Sequence, residues 1–230
     1  MARRVLVIGL AVTGAAVVRY CLDRGDDVTV IDDRPDGDAA WRETAEQVRA
    51  AGVEVVAAPE PSHAAALAAS VDLVVPSPGV PERHAAIAAA RRHGVPVRSE
   101  IDLAGEVAAT AGRPALVAVT GTNGKTTVTT LATDMLVRAG VRAVAAGNIG
   151  RPLLEAVHDD AAVVVAEVSS FQLAFTEHLV PRAAALLNLG PDHLDWHRTF
   201  EAYARAKANV FAHQRGDDVL VFNADDPVVA

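Results

Sequence analysis

The sequence predicts an α/β protein: an N-terminal Rossmann-like domain with a parallel sheet, followed by an incomplete domain of the P-loop ATPase type. Short Val- and Ala-rich runs alternate with helix-length segments along the 230 residues, which is typical of parallel sheets buried between helices. Glycine turns follow two of these runs, at residues 9–14 and 121–124. A Lys-Thr-Thr sequence directly follows the second turn, as in a phosphate-binding loop.

The predicted Rossmann-like domain covers residues 1–112. An apolar run at 5–8 is its first strand, the turn at 9–14 leads into a helix at 15–24, and a second strand covers 28–31. Strand and helix signals continue to alternate after this opening. The remaining predicted helices lie at 39–51, 63–69, 84–93 and 100–110, and the strands at 53–56 and 71–75, with residues 95–98 as a further segment.

Three loops of this domain are expected to meet at the carboxyl edge of its sheet, where open α/β sheets bind ligands. They are residues 9–13, the pair Asp33 and Arg34, and residues 77–79. Ala11 replaces the middle glycine of a dinucleotide fingerprint, which makes NAD binding a weak interpretation. The acidic pair Asp32 and Asp33, together with Arg34, could contact a ribose, a uracil or a phosphate, or could belong to an ordinary solvated turn.

The second domain is predicted to cover residues 113–230, because the Ala-Gly-Arg-Pro sequence at 111–114 is a cluster of helix breakers. A strand at 116–119 comes first, followed by the glycine turn and a helix at 125–138. The remaining strands are predicted at 141–146, 161–168, 183–187 and 219–222, and the helices at 152–158 and 199–212.

The phosphate-loop candidate has the chemistry that its position requires. Its glycines let successive N–H groups point into one concavity, and the helix N-terminus adds partial positive charge. Lys125 can reach the β- and γ-phosphates of ATP, and the Thr126 hydroxyl can ligate Mg²⁺. Val119 stands where the strict motif has a glycine, so the motif is a shortened variant; the alternative is a strand–turn–helix connection without a ligand. The predicted nucleotide-binding residues are Gly121, Thr122, Asn123, Gly124, Lys125, Thr126 and Thr127.

Polar residues also follow other strands of this domain, namely Asn148, Glu167, Asn188 and His193. Glu167 is the predicted Mg²⁺ ligand, since Mg²⁺ prefers oxygen donors; alternatively it caps the next helix. His193 could be a metal ligand or part of a simple Pro-Asp-His turn. By spacing alone, Lys207 is a solvated lysine on an Ala-rich helix.

Composition excludes several classes of function. The net charge is −8, with no block of Lys or Arg, so a nucleic-acid surface is not expected. Cys21 is the only cysteine, which precludes an intrachain disulfide and suits a cytoplasmic location. The apolar run near the N-terminus resembles a signal peptide, but Gly9 and Gly14 interrupt it. The run is also too short to span a bilayer, so membrane insertion is not expected.

Taken together, the motifs resemble the Mur ligases of peptidoglycan synthesis. The resemblance rests on residues 121–127, 147–150, 167–173, 192–193 and 223–226, together with Lys207. Residues 9–14 and 169–173 are most similar to the family member that adds D-glutamate. The resemblance covers the whole chain, and its motifs agree in order.

The resemblance implies an ATP- and Mg²⁺-dependent ligase that joins D-glutamate to UDP-N-acetylmuramoyl-L-alanine through an acyl phosphate. It implies that Lys125, His193 and Lys207 are catalytic, and that Lys207 is carbamylated. Thr126 and Glu167 would hold the ATP-linked Mg²⁺, and His193 a second metal ion. The implied substrate contacts come from Val12, Thr13, Asp33, Arg34, Asn148 and Ser169.

Family members are much longer than this chain and carry a third domain. We therefore expect the 230-residue chain alone to lack ligase activity and to be a monomer. Three functions stay open: the ligase itself, a non-catalytic UDP-sugar-binding or nucleotide-binding fragment, and a related enzyme. The related enzyme would be a sister Mur ligase or a folate polyglutamate ligase.

Overall fold

A computed structural model describes residues 2–36, 38–39 and 41–230. The chain divides into two compact units, residues 1–100 and residues 101–230, here called the first and the second unit. Each unit contains one parallel β-sheet with helices packed against it. The predicted α/β class with parallel sheets is therefore confirmed.

The first unit is built around a four-stranded sheet in the order β3-β2-β1-β4, and every neighbouring pair of strands is parallel. Residues 5–8 of the inner strand β1 are apolar and buried, as expected for a strand with helices on both faces. Residues 95–98 add an isolated parallel bridge between Val74 and Val97. In chain order the elements are β1 (Arg4–Ile8), α1 (Val12–Asp23), β2 (Asp27–Asp32), α2 (Arg42–Ala50), β3 (Glu54–Ala57), α3 (Pro61–Ala69), β4 (Leu73–Pro76) and α4 (Ala85–Arg92).

The second unit is built around a five-stranded parallel sheet in the order β6-β7-β5-β8-β9. Its helices and strands are α5 (Glu100–Ala111), β5 (Ala115–Thr120), α6 (Lys125–Arg138), β6 (Ala143–Gly147), α7 (Leu153–Ala156), β7 (Val163–Glu167), α8 (Ser170–Leu173), β8 (Ala183–Leu186), α9 (Leu194–His197), α10 (Phe200–Ala208) and β9 (Val219–Phe222). Because the strands are parallel, the loops that follow β5, β6, β7 and β8 lie at one edge of the sheet.

Helix α1 begins at Val12, so the prediction of a tight turn through residue 14 was wrong. Gly14 lies inside the helix, although glycine disfavours helix interiors. A Cβ atom at this position would lie 2.0 Å from the carbonyl oxygen of Gly9. The glycine is therefore explained by close packing of the helix against the loop before it, and not by a turn.

The structure divides the chain earlier than the breaker cluster at 111–114, because α5 packs with the second unit. The buried Asp102 carboxylate accepts hydrogen bonds from the backbone N–H groups of Glu177, at 2.8 Å, and His178. A Cβ atom on Gly105 would lie 3.0 Å from the Cα atom of Leu179. These contacts depend on residues far apart in the sequence, whereas the breakers mark only the end of the helix.

Other element bounds differ locally from the prediction. Two one-turn helices, α8 and α9, were not predicted, because four-residue segments carry no detectable period. Helix α10 ends at Ala208, and turns replace the predicted continuation to residue 212. The predicted helix at 39–51 begins only at Arg42, and Ala40 lies outside the described residues. Among the described residues, no helix combines the length and hydrophobicity needed to cross a bilayer.

Candidate functional site

The phosphate-loop candidate presents a row of open backbone donors. It lies between β5 and α6, and Gly124 enters α6 in the left-handed conformation with φ of 84°, which glycine adopts without strain. Among the described residues, the N–H groups of Gly124, Lys125, Thr126 and Thr127 have no hydrogen-bond acceptor. Four successive open N–H groups at the start of a 14-residue helix form the kind of concavity that binds phosphate.

The two lysines of this unit converge on the loop from different sides. The Lys125 Nζ donates to the carbonyl oxygens of Gly121 at 3.0 Å and Thr122 at 2.9 Å. The Lys207 Nζ donates to the same Gly121 oxygen at 2.8 Å and to the Thr120 hydroxyl at 3.4 Å. Lys207 is only 2% exposed, so the spacing-based expectation of a solvated lysine was wrong.

Burial changes the acid–base properties of Lys207. Loss of hydration and, to a smaller extent, the nearby Lys125 charge lower the pKa of its amine to about 7, against the opposing influence of Asp192 and Glu167. Desolvation disfavours a charged ammonium wherever it is not fully compensated. A substantial fraction of this amine is therefore neutral near neutral pH.

The Glu167 carboxylate lies beside the first turn of α6. It is 3% exposed, and its Oε2 accepts a hydrogen bond from the Thr126 hydroxyl at 2.7 Å. Its Oε1 accepts a hydrogen bond from the side-chain amide of Asn148 at 2.9 Å. The structure thus brings together three of the predicted site residues, which come from the ends of β6 and β7 and the start of α6.

These oxygen donors suit Mg²⁺, which commonly takes only one or two protein ligands and completes its coordination with phosphate and water. The described residues contain no group of three or more His, Cys, Asp or Glu side chains arranged to hold a metal. The oxygen atoms of Thr126 and Glu167 lie 2.7 Å apart, and their predicted role as ligands of a nucleotide-bound Mg²⁺ stays a prediction.

His193 lies in an aromatic cluster at the same edge. Its ring centroid is 4.6 Å from that of Phe171 and 6.4 Å from that of Tyr203. Tyr203 in turn shares a 2.8 Å hydrogen bond with the Thr122 hydroxyl of the phosphate loop. The imidazole of His193 is about half exposed, with Nε2 3.5 Å from an Asp192 oxygen. It is accessible and lies near the loop, but it makes no direct contact with Thr126 or Glu167 in the described structure.

Ser169 stabilises the start of helix α8. It is the N-cap of α8, and its hydroxyl accepts from the Gln172 N–H while the Gln172 side chain reaches back to the Ser169 N–H. This reciprocal pattern is a capping box. The predicted substrate contact of Ser169 stays a prediction.

In the first unit, the three loops predicted to converge do so. The Ser77 hydroxyl donates to the Gly9 carbonyl oxygen at 2.8 Å, which joins the loop after β4 to the loop after β1. The His84 ring, just before α4, lies 3.2 Å from an Asp33 carboxylate oxygen, which joins this region to the loop after β2. The carboxyl edge of the first sheet therefore gathers the predicted ligand-binding segments.

Arg34 is held by the buried carboxylate of Asp32, the first residue of the acidic pair that the sequence places at the end of β2. The Arg34 guanidinium donates to Asp32 twice, at 2.8 and 2.7 Å, and the Leu10 N–H donates to the same carboxylate at 2.7 Å. Burial raises the pKa of Asp32, but these hydrogen bonds outweigh it and leave the pKa below its ordinary value. Asp32 thus connects the loop after β1 to Arg34, and two Arg34 donors are engaged within the protein.

Val12 and Thr13 form the first turn of α1. Its N-cap residue, Ala11, provides no side-chain cap. Among the described residues, the N–H groups of Val12, Thr13 and Gly14 have no acceptor. Val12 is 69% exposed. An open helix N-terminus at this edge is suited to an anionic group.

Tyr203, which contacts the phosphate-loop candidate through Thr122, was not selected from the sequence. Tyr203 stands four positions before Lys207 on α10, so helical spacing places the two side chains on the same face, which was an available signal. Ser77 and Asp32 lie in segments that the sequence selected, but their hydrogen-bond partners gave no signal, because each acts on a backbone group that is distant in sequence.

The fold and the candidate sites define a class of protein in which a Rossmann-like unit is followed by an α/β unit of the P-loop type. In each unit, candidate ligand-binding loops lie at the carboxyl edge of a parallel sheet. Residues 3–99 match the family model described as the Mur ligase MurD-like N-terminal domain. Residues 119–230 match that of the Mur ligase middle domain. The chain belongs to the Mur ligase family.

Similar proteins carry the name UDP-N-acetylmuramoylalanine–D-glutamate ligase. The protein of that name from Desulfatibacillum aliphaticivorans is 42% identical over 226 residues, which is 97% of this chain and 48% of that protein. The one from Anaeromyxobacter dehalogenans is 46% identical over 97% of this chain and 47% of that protein. The chain thus spans about half the length of the curated relatives it matches.

Solved structures agree on the fold. A UDP-N-acetylmuramate:L-alanyl-γ-D-glutamyl-meso-diaminopimelate ligase from Neisseria meningitides has a TM-score of 0.59 at 17% identity, and the match covers 99% of this chain and 73% of that one. A UDP-N-acetylmuramate–alanine ligase from Thermotoga maritima has a TM-score of 0.52 at 21% identity, covering 98% and 50%. At such identities the match concerns the fold alone.

Proposed function

We propose that this chain carries the UDP-sugar-binding and ATP-binding parts of a ligase that adds D-glutamate to UDP-N-acetylmuramoyl-L-alanine in peptidoglycan precursor synthesis. One observation carries the proposal: the four open N–H groups of residues 124–127 lie beside Lys125 and the Thr126–Glu167 pair. The D-glutamate ligases that resemble the chain over nearly its whole length support the choice of substrate.

In this proposal the second unit binds ATP. The β- and γ-phosphates accept hydrogen bonds from the open N–H groups. The Lys125 amine leaves its two carbonyl partners to reach the same phosphates. Thr126 and Glu167 would hold Mg²⁺, which would neutralise charge on the phosphates. Asn148 orients Glu167 through the hydrogen bond to its Oε1, and His193 would supply a nitrogen ligand to a second metal ion.

The proposed reaction has two steps. An oxygen of the alanyl carboxylate attacks the γ-phosphorus of ATP, and ADP leaves. The D-glutamate amine, after loss of a proton, then attacks the acyl carbon of the acyl phosphate, and phosphate leaves as the amide forms. The protein side of both steps is positioning and charge stabilisation, which the donors around the phosphate loop are placed to provide.

Lys207 is proposed to react with carbon dioxide to form a carbamate, with release of a proton. That reaction requires a neutral amine, and burial lowers the pKa of Lys207 to about 7, so the amine is available near neutral pH. The product is a buried anion beside the phosphate loop, which helps to orient Mg²⁺. Carbamylation converts the buried Lys207 ammonium, which desolvation disfavours, into an anion whose charge would complement that of the metal.

The first unit is proposed to bind the uridine diphosphate. The open N-terminus of α1, with Val12 and Thr13, receives the diphosphate, and Asp33 accepts a hydrogen bond from the nucleoside. Arg34 contributes through the donors that Asp32 does not occupy. Ser169 and Asn148 of the second unit are proposed to contact substrate or phosphates. We further propose a monomer that works in the cytoplasm.

Isothermal titration with Mg²⁺·ATP tests the nucleotide site. The expected result is 1:1 binding that weakens at least tenfold in Thr126→Val, because the hydroxyl ligand is lost. Thr130→Val is the matched control, since it makes the same change one turn further along α6, where the side chain is exposed. Absence of ATP binding by the unmodified chain, or equal effects of the two variants, contradicts the assignment.

A separate measurement tests the substrate and distinguishes the alternatives. Thermal unfolding is followed with UDP-N-acetylmuramoyl-L-alanine and with its tripeptide homologue, since a ligand stabilises only the protein that binds it. Stabilisation by the first ligand alone supports the D-glutamate ligase. Binding of the UDP-sugar without any ATP binding favours the non-catalytic module. We expect no phosphate release from the 230-residue chain alone with all three substrates.

A further inference from the structure

Asn188, the second residue after β8, holds the phosphate loop by three hydrogen bonds. Its backbone oxygen accepts from the Thr122 N–H at 3.0 Å. Its side-chain Oδ1 accepts from the Asn123 N–H at 2.9 Å, and its Nδ2 donates to the Asn123 carbonyl oxygen at 3.1 Å. One residue therefore fixes three successive peptide groups of the loop, those between residues 121 and 124.

The orientation of the Asn188 amide is determined by these partners. A backbone N–H can only donate and a backbone carbonyl can only accept, so the Oδ1 and Nδ2 atoms cannot be exchanged without losing both hydrogen bonds. The side chain thus pairs with Asn123 in the way that a neighbouring β-strand would. This pairing extends the contact between β5 and β8, which ends at Thr120 and Leu186, into the loop as far as Asn123.

The contact has a consequence for phosphate binding. It engages the Asn123 N–H, while the next four N–H groups, at residues 124–127, stay open. The two segments also lie in close contact, because a Cβ atom on Gly121 would lie 3.0 Å from the Leu187 Cβ and 3.4 Å from the Asn188 nitrogen. The conformation in which the loop begins its turn therefore depends on Asn188.

The loop that carries Asn188 is itself anchored on its other side. The Leu189 N–H donates to an Asp226 carboxylate oxygen at 3.0 Å, and the Gly190 N–H donates to the Thr122 hydroxyl at 3.0 Å. The bond to Asp226 holds the Asn188 segment from outside the phosphate loop, which limits how far it can move, whereas the bond from Gly190 is a further link between the two loops.

We propose that Asn188 is a positioning residue for nucleotide phosphates: it fixes Thr122 and Asn123 so that the N–H groups of residues 124–127 stay aligned in one concavity. The proposal rests on the proposed ATP site. Preorganised donors bind without reorganisation cost, so removal of the side chain should weaken phosphate binding without any loss of a direct ligand contact.

The first test measures amide hydrogen exchange by NMR in the unmodified chain and in Asn188→Ala. The Asn123 amide should exchange about tenfold faster in the variant, since its acceptor is gone. Asn223→Asp is the control, because Asn223 lies in an exposed turn where the side chain only accepts a hydrogen bond, from the Asp225 N–H. An unchanged exchange rate at Asn123 in Asn188→Ala overturns the proposal.

The second test measures Mg²⁺·ATP affinity by calorimetry, well below the unfolding midpoint. Asn188→Ala should raise the Kd at least tenfold. Asn188→Asp should raise it more, because a carboxylate would face the Asn123 carbonyl oxygen and the nucleotide phosphates. Val164→Ala, in the buried strand β7, provides a variant destabilised by a cavity, and its Kd should not change. A merely structural role would give Asn188→Ala and Val164→Ala the same Kd.

The outcomes separate the two proposals. If the unmodified chain does not bind Mg²⁺·ATP, the proposed function of the second unit is refuted, and the assignment of Asn188 is overturned with it. If the unmodified chain binds and Asn188→Ala binds equally well, only the positioning by Asn188 is overturned.

Discussion

Replacement of the buried Lys207 by methionine should stabilise the second unit at neutral pH. A lysine in an unfolded chain titrates at about 10.4, whereas burial lowers the pKa of Lys207 to about 7. At about 1.4 kcal/mol for each pKa unit between these values, the amine destabilises the folded unit by roughly 4 kcal/mol at pH 7. Methionine has a similar length and carries no charge.

Part of this gain is offset by lost contacts. The hydrogen bond from Nζ to the Gly121 oxygen contributes about 1 kcal/mol, and the contact of Nζ with the Tyr203 ring, 4.9 Å from its centroid, contributes a similar amount. The Gly121 oxygen still accepts a hydrogen bond in the variant, because Lys125 also donates to it. The expected net effect of Lys207→Met is a stabilisation of about 2 kcal/mol at pH 7.

The effect should depend on pH with a defined sign. Between pH 7 and 10.4 the unfolded chain binds the Lys207 proton and the folded chain does not, so the stability of the unmodified chain rises with pH. The Met variant lacks this dependence. The advantage of the variant should therefore be largest at or below pH 7 and should disappear, or reverse in sign, by about pH 10.

Urea denaturation in carbon-dioxide-free buffer measures this difference. The chain has two tryptophans, Trp41 in the first unit and Trp196 in the second, so a Trp41→Phe background leaves Trp196 as the reporter. Arg205→Met, an exposed site on the same helix, is the control and should show no comparable pH dependence. A Lys207→Met variant that is less stable at pH 7, or equally affected at pH 7 and pH 10, would refute the reasoning.

Two further predictions concern the supports of the sites. Asp32→Asn should destabilise the first unit by about 2 kcal/mol at pH 7, since the Arg34 and Leu10 hydrogen bonds go to a charged group. Because these bonds lower the pKa of Asp32 in the folded chain, its contribution to stability is present above about pH 3.9 and is lost as the pH falls through that lower pKa. Urea denaturation followed by Trp41 fluorescence should therefore show a smaller stability difference between the unmodified chain and the variant at about pH 3 than at pH 7. A difference that stays constant contradicts this prediction. Gly147→Ala should destabilise the second unit by about 3 kcal/mol, because its Cβ would lie 2.3 Å from the Glu167 carbonyl oxygen. Gly140→Ala, at a glycine with a similar φ but open space around it, should destabilise the unit by only about 1 kcal/mol. Equal losses of stability for the two variants in thermal unfolding would rule out the close contact.

The phosphate loop could be located from the sequence because its function is local. Residues 121–127 supply the glycine conformation, the helix start and the lysine within one continuous segment, so the pattern of residue types determines the geometry. The alternation of apolar strands and helices similarly determines a parallel sheet, and with it the edge at which Glu167 and Asn148 are found.

The contacts that support the site could not be predicted in this way, although the sequence did place Asn188 at this edge of the sheet. Asn188 reaches Asn123 across 65 residues, and Tyr203 reaches Thr122 across 81 residues. No short-range pattern encodes such pairs, because they depend on which strands become neighbours in the sheet. The same reason explains why spacing on α10 suggested a solvated Lys207, whereas packing against the loop after β5 buries it.

The sequence by itself determined the fold class, the order of the two α/β units and the chemistry of the phosphate loop, since these depend on periodicity and on contiguous residue types. Only the tertiary structure decided that Lys207 is buried with a lowered pKa, that Asp32 holds Arg34, and that α5 packs with the second unit. Burial and pairing are properties of the neighbours that folding brings together, and these neighbours lie far apart along the chain.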